Sequence, residues 1–140
     1  YPAAHIRPDI QNWSKSPIFI LHGDADDWTP LHLVEALMPQ LPNANLQVYP
    51  GAHHSFDGVK EFTLIPKAVR LRKRTVRIDK NGYMSGKLFL GIRFPLNERW
   101  QRRWVIRILR NRGAHVEGNP AARADSLEKA KQFLIDTISD

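Results

Sequence analysis

An acidic residue and a histidine each follow a short apolar run in the first half of the chain. The run at residues 18–22 leads into a polar loop that contains Asp26, and the run at residues 46–49 leads into a loop that contains His54. Short apolar runs are typical of parallel strands, whose carboxyl ends meet at one edge of a sheet. There, a histidine can take a proton from a hydroxyl nucleophile while the acid orients the imidazole ring. The two loops therefore predict an acid–base pair.

The segment between the two loops predicts the helix that joins the strands. Thr29-Pro30 is a typical helix start, with a hydroxyl that can cap and a proline at the first helical position. Apolar residues then follow at helical spacing up to Leu41, and Pro42-Asn43 ends the helix. Strand, helix and strand in this order predict an α/β fold with a right-handed parallel crossover.

The residues around Asp26 and His54 also resemble a known family. Residues 23–30 have the pattern Gly-x-x-Asp-x-x-x-Pro, and residues 49–56 have the pattern Tyr-Pro-Gly-Ala-x-His-x-Phe. Both patterns are similar to the end of an α/β-hydrolase, and they are most like the dienelactone hydrolase family. The resemblance implies that Asp26 and His54 are the acid and the base of a triad in the order Ser, Asp, His. It covers residues 17–57 and 114–138.

The resemblance implies hydrolysis of a small ester or lactone through an acyl-enzyme, a reaction that needs no cofactor. The family's nucleophile lies upstream of the acid in a turn of the type Gly-x-Ser-x-Gly or Gly-x-Cys-x-Gly, and this chain contains neither turn and no cysteine. The nearest match, residues 82–86, follows His54 and predicts a hairpin. We therefore expect the C-terminal portion of a serine or cysteine hydrolase, inactive until it is joined to the missing N-terminal half.

Other polar and aromatic residues of the two loops have competing interpretations. Trp28 could line a substrate pocket or pack beneath the acid loop. Asp24 and Asp27 are typical turn residues, and Asp27 would also suit the start of a helix. We expect His53 to be exposed and His22 to be a buried, satisfied polar group. No spacing of these side chains fixes a metal geometry, so we expect no metal.

The positive charge of the chain is concentrated in its middle. The net charge is +7, and residues 67–112 hold 15 Lys/Arg against two acids, a net of +13. The remainder holds 6 basic and 12 acidic residues, a net of −6, and 13 − 6 = 7. Such an asymmetry indicates an interaction surface or a separate structural unit.

The periodicity of the middle predicts a hairpin followed by a helix. Residues 75–79 and 87–94 alternate as strands do, with the turn-forming Asn81-Gly82 between them. A helix is predicted over residues 97–110, with Gly113 as its stop. We expect the apolar face of this helix to pack in a core, with arginines on another face. The apolar residues are Trp100, Trp104, Val105 and Ile108, and the arginines are Arg99, Arg103, Arg107 and Arg110.

Together with the resemblance, these patterns predict an α/β fold that is a partial α/β-hydrolase with a basic insertion. Residues 1–57 would be the strand–helix–strand part, residues 58–113 an inserted lid or oligomer interface, and residues 114–140 the last helix. That helix runs from Asn119-Pro120 to about Ile138 and has one apolar face.

The alternative function is a non-catalytic module whose basic segment docks a polyanion or an acidic partner. No nucleic-acid motif is present, and no apolar run is long enough to span a membrane. A basic helix with two tryptophans could instead lie on an anionic membrane. The lack of cysteine fits a reducing compartment such as the cytoplasm without requiring one.

Overall fold

The computed structural model describes residues 6–8, 16–71 and 76–139. These residues contain three small sheets and three α-helices. The strands are β1 (Ile6–Pro8), β2 (Ile18–Gly23), β3 (Ala44–Tyr49), β4 (Thr63–Leu71), β5 (Val76–Ile78), β6 (Met84–Lys87), β7 (Arg93–Pro95) and β8 (Arg110–Val116). The helices are α1 (Leu31–Glu35), α2 (Arg99–Leu109) and α3 (Pro120–Ser139), with short 3-10 turns at Met38–Gln40 and Phe89–Gly91. The predicted mixture of helices and strands is confirmed.

The strands β2 and β3 are parallel neighbours, as predicted, and α1 lies between them in sequence. Their register runs from Ile18 opposite Ala44 to Gly23 opposite Tyr49, so both strands end at the same edge. The core beneath them combines one residue of β2 with four from the α1 region. These residues are Ile20, Leu33, Val34, Leu37 and Leu41.

The helix after β2 is shorter than predicted. It starts at Leu31 and ends at Glu35, and a 3-10 turn at Met38–Gln40 replaces its predicted second half. Pro39 explains the break, because it has no N–H to donate to the carbonyl of Glu35 four residues earlier. The predicted cap is also wrong, since no side chain caps α1.

Three strands of the basic segment join β1 in a four-stranded sheet in the order β1-β5-β6-β7. The predicted hairpin around Asn81-Gly82 is confirmed, with β5 and β6 antiparallel and Gly82 at φ 82°. The predicted second strand over residues 87–94 is wrong. Leu90 and Gly91 have φ angles of 56° and 79°, which reverse the chain and divide that segment between β6 and β7.

The helix α2 packs on this sheet through a different face from the predicted one. Val105 is buried with Val76 and Leu96, whereas Trp100, Trp104 and Ile108 are exposed. Burial of the two tryptophans was therefore a wrong prediction. The side chains of α2 that are partly or fully buried are Gln101, Arg102, Val105 and Leu109, one continuous stripe at helical spacing.

Gly113 does not stop α2, because the chain enters β8 at Arg110 and pairs antiparallel with β4. The register shifts between Ile65 and Val69, so more residues of β4 than of β8 occupy that stretch. Gly113 lies opposite this irregularity at φ 84°, a conformation that glycine adopts without strain. The predicted boundary at residue 113 therefore falls inside a strand, and the division into domains stays a prediction.

The last helix, α3, begins where the sequence predicts. Asn119 accepts a hydrogen bond from the N–H of Ala122 at 3.0 Å, and Pro120 is the first helical residue. Ala122 packs with Tyr49 and Phe56 at the end of β3. Most of the predicted apolar face is nevertheless exposed, namely Leu127, Leu134 and Ile138. None of the described helices combines the length and apolar character needed to cross a membrane.

Candidate functional site

Asp26 lies in the loop after β2 with only 3% of its surface exposed. Its Oδ1 accepts the backbone N–H groups of Trp28 and Thr29, each at 2.8 Å. Its Oδ2 accepts the hydroxyl of Thr29 at 2.7 Å. These bonds turn the loop around the carboxylate, and they explain why the hydroxyl of Thr29 does not cap α1.

The structure brings together the two residues predicted to form the acid–base pair. Nδ1 of His54 lies 2.8 Å from Oδ2 of Asp26. An ionised carboxylate can only accept hydrogen bonds, so Nδ1 carries the hydrogen of this bond. In the neutral ring the lone pair is then on Nε2, the nitrogen that would accept a proton.

The pKa of Asp26 lies below its ordinary value of 3.8. Burial alone raises this pKa, because it penalises the charged form. The hydrogen bonds from His54 and Thr29, together with the attraction to His54, lower it by more. Asp26 is therefore an ionised buried acid at neutral pH, which is the state that an orienting acid requires.

Direct contact between the two loops sets the position of His54. The N–H of Gly51 donates to Oδ1 of Asp24 at 2.7 Å, and the N–H of Ala25 donates to the carbonyl of Ala52 at 3.1 Å. A Cβ atom on Gly23 would overlap that same carbonyl group. Only glycine at position 23 allows the two backbones to lie this close.

Trp28 links the pair to the strand β4. Its ring centroid lies 4.7 Å from that of His54, and its Nε1 donates to the carbonyl of Val69 at 3.1 Å. The indole is half-buried between the two. The structure shows that Trp28 packs against His54. A role for Trp28 in lining a substrate pocket stays a prediction.

Asp27 is neither a turn residue nor a helix-terminal charge, contrary to the sequence-based expectation. Its Oδ1 accepts the backbone N–H of His115 at 2.9 Å. Its Oδ2 lies 2.9 Å from Nδ1 of His115 and 3.2 Å from Nη1 of Arg70. No local pattern could have indicated this cluster, because its partners lie 43 and 88 positions further along the chain.

The strand β8 touches the histidine loop as well. The backbone of His54 forms a parallel bridge with Val116, and its carbonyl accepts the N–H of Glu117 at 3.1 Å. The strand pair β4/β8, which we call the ribbon, therefore contacts both loops. It meets the acid loop at Asp27 and Trp28 and the histidine loop at His54.

The two other histidines near the pair differ from expectation. His53 is half-buried, with Nε2 3.8 Å from Oε2 of Glu117 and its ring 5.0 Å from that of Phe62, so predicting it as exposed was wrong. His22 is fully buried, as predicted. The prediction that it is a satisfied polar group is wrong, because only its Nδ1 has a partner, the carbonyl of Gly23 at 2.8 Å, and its Nε2 has none among the described residues.

Two open grooves run along α3 and not beside the acid–base pair. One has a volume of about 530 Å³ and lies between β2 and α3, lined by Phe19, Leu21 and Phe56 among others. The other, of about 610 Å³, lies on the exposed apolar face of α3. Within the described ranges, no three metal-ligating side chains are grouped together.

Comparisons with protein-family models, curated proteins and solved structures gave no match. An assignment of function for this chain therefore depends on the residue types and geometry of the two loops.

Proposed function

We propose that this chain is the C-terminal portion of a dienelactone-hydrolase-like enzyme that cleaves small esters or lactones. The observation that carries the proposal is the 2.8 Å contact between the buried carboxylate of Asp26 and Nδ1 of His54. Both residues follow parallel strands that end at the same sheet edge, where ligands bind in open α/β folds.

In this proposal His54 moves the protons and Asp26 orients it. Nε2 of His54 takes the proton of a serine hydroxyl or cysteine thiol as that nucleophile attacks the ester carbonyl. The same proton passes to the departing alcohol oxygen when the carbon–oxygen bond breaks. Water then repeats the sequence on the acyl-enzyme, and the imidazolium formed in each half is stabilised by Asp26.

Trp28 supports this role by its position. Its indole covers one side of the His54 ring and is itself held by the carbonyl of Val69. Shielding from water strengthens the attraction between carboxylate and imidazolium, because the local dielectric constant falls. A substrate bound near Nε2 would then meet the indole as an apolar neighbour.

The nucleophile and the oxyanion hole would come from outside these 140 residues. Among the described strands β2 and β3 pair only with each other, and α3 leaves Leu127, Leu134 and Ile138 exposed. Unpaired strand edges and an apolar helix face are the surfaces that the rest of a hydrolase domain would cover. On its own, the chain should not turn over an ester.

The test joins the chain to a nucleophile-bearing segment and measures kcat with a simple aryl ester. His54→Ala should lower kcat by about 10³-fold or more, because the general base is lost. His53→Ala is the matched control and should keep kcat close to that of the unsubstituted protein, since His53 does not contact Asp26. Unchanged turnover in the His54 variant would contradict the assignment of His54 as the general base.

A further inference from the structure

The outward face of α2 alternates tryptophan and arginine. Trp100, Arg103, Trp104 and Arg107 have the spacing i, i+3, i+4 and i+7, which places them on one face of a helix. This face points away from the buried Val105, and the two tryptophans are 62% and 47% exposed. Both indoles also contact Phe94, which holds them in place on the surface.

The hairpin between β6 and β7 adds an exposed aliphatic tip. Leu90 is 90% exposed and has φ 56°, a backbone conformation that a leucine rarely adopts. Ile92 beside it is also exposed. Leu88, before the tip, packs against the same core cluster as Leu109, the last residue of α2. The tip and α2 therefore belong to the same packed unit.

The positive charge of this region is not neutralised by its own acids. Residues 67–112 have a net charge of +13, and Asp79 and Glu98 are the only acids. Asp79 accepts backbone N–H groups in the β5–β6 turn, and Glu98 forms the capping box of α2. Among the described residues no acid pairs with Arg103 or Arg107.

We infer that this face, formed by the outer side of α2 and the Leu90 tip, docks on an anionic phospholipid surface. Tryptophan and arginine side chains are stable at the level of lipid headgroups, and exposed leucine and isoleucine can enter the acyl region. Each basic residue near an anionic bilayer contributes separately to the electrostatic attraction.

The aliphatic tip favours a lipid over a nucleic acid, because Leu90 and Ile92 offer bases neither a stacking ring nor a hydrogen bond. The inference does not depend on the proposed hydrolase chemistry, since none of its residues contacts Asp26 or His54.

Co-sedimentation of the 140-residue chain with vesicles tests the inference. The chain should bind vesicles of mixed phosphatidylcholine and phosphatidylserine and should not bind phosphatidylcholine alone. Bound protein should be released between about 0.1 and 0.5 M salt, because the charges are exposed. The double variant Arg103→Gln/Arg107→Gln should bind about 30-fold more weakly.

The variant Leu90→Asn tests the contribution of the tip to binding without disturbing the fold. Asparagine tolerates the left-handed conformation at this position, so the variant should fold with an unchanged circular dichroism spectrum. It should nevertheless bind mixed vesicles about tenfold more weakly, since the apolar tip is lost. Val59→Asn, at an exposed apolar position outside this face, is the control and should bind like the unsubstituted chain.

The matched charge control is Arg123→Gln/Lys131→Gln, which removes two exposed positive charges from α3. An equal loss of binding in both double variants would overturn the inference, because net charge alone would then explain it. So would a lack of binding to mixed vesicles. Binding to single-stranded DNA without binding to vesicles would assign the face to nucleic acid instead.

Discussion

Asp26 is a carboxylate that is buried and still ionised. Burial opposes the charge, but the hydrogen bonds from His54 and Thr29, with the attraction to His54, reverse the balance. Four hydrogen bonds in all reach its two oxygens. Two of them come from backbone N–H groups and one from the hydroxyl of Thr29, which the local chain supplies. Only the bond from His54 crosses to the other loop, so the acid is positioned mainly by its own loop.

The lowered pKa of Asp26 predicts a specific dependence of stability on pH. A carboxyl group whose folded pKa lies below its unfolded value stabilises the fold fully above the unfolded value, 3.8. That contribution is lost as pH falls through the lower folded pKa. We therefore expect Asp26→Asn to lower the free energy of unfolding by about 1–3 kcal/mol at pH 7, with the difference shrinking below pH 3.8.

Urea unfolding followed by circular dichroism, repeated from neutral to acidic pH, measures this difference. Asp24→Asn is a suitable comparison, because Asp24 is exposed and its Oδ1 accepts a hydrogen bond from the N–H of Gly51 at 2.7 Å. A constant gap between the unsubstituted chain and Asp26→Asn down to the lowest pH would contradict the assigned ionisation of Asp26.

At the scale of elements, the pairing of β4 with β8 and the contacts of this ribbon with the two loops are not predicted by the sequence. The ribbon contacts the acid loop through Arg70 and His115 and the histidine loop through the backbone of His54. Its contact with Asp27 is an ion-pair cluster between residues far apart in the sequence, and the side chains in it are about one-third exposed. Such clusters contribute modestly, because solvent screens them.

A double-mutant cycle between Asp27→Ala and His115→Ala should give a coupling of about 0.5–1 kcal/mol in the free energy of unfolding. Asp27→Ala removes both hydrogen bonds to residue 115, whereas His115→Ala removes only the bond from the imidazole and keeps the backbone N–H, so the cycle isolates the contact between imidazole and carboxylate. The same cycle between Asp27 and Lys129 should give no coupling, since the two do not interact. Zero coupling for the first pair would show that the imidazole of His115 does not help to hold the ribbon at Asp27.

The candidate pair and its crossover could be predicted, because their signals are local. Apolar runs mark β2 and β3, and the polar loops after them carry Asp26 and His54 within a few residues. The start of α1 was misplaced because the hydroxyl of Thr29 has a competing acceptor in Asp26. A helix pattern shows the positions of apolar residues but not which side meets a sheet, so the burial of Trp100 and Trp104 was predicted wrongly.

The whole molecule divides into a part with net negative charge and a basic segment. Residues 67–112 carry a net +13 and the remainder a net −6. Mutual repulsion of like charges destabilises a compact segment, and salt screens it. Exposed ion pairs are weakened by salt too, but each contributes at most about 1 kcal/mol, and 15 basic residues face only two acids in this segment.

Thermal unfolding should therefore respond to salt. We expect the Tm, followed by circular dichroism, to rise by about 2–4 °C between about 0.01 and 0.3 M sodium chloride. The double variant Arg103→Gln/Arg107→Gln should show a smaller rise, because it has less repulsion to screen. A Tm that falls with salt would mean that attractive pairs outweigh repulsion in this fold.

The contact between Trp28 and His54 has an optical consequence. An indole that touches an imidazole ring, here with centroids 4.7 Å apart, loses fluorescence when the ring becomes a cation. Trp28 is therefore a built-in reporter of the charge on the proposed general base. With the other three tryptophans replaced by phenylalanine, its emission would follow the protonation of His54 directly, without a substrate and without the nucleophile.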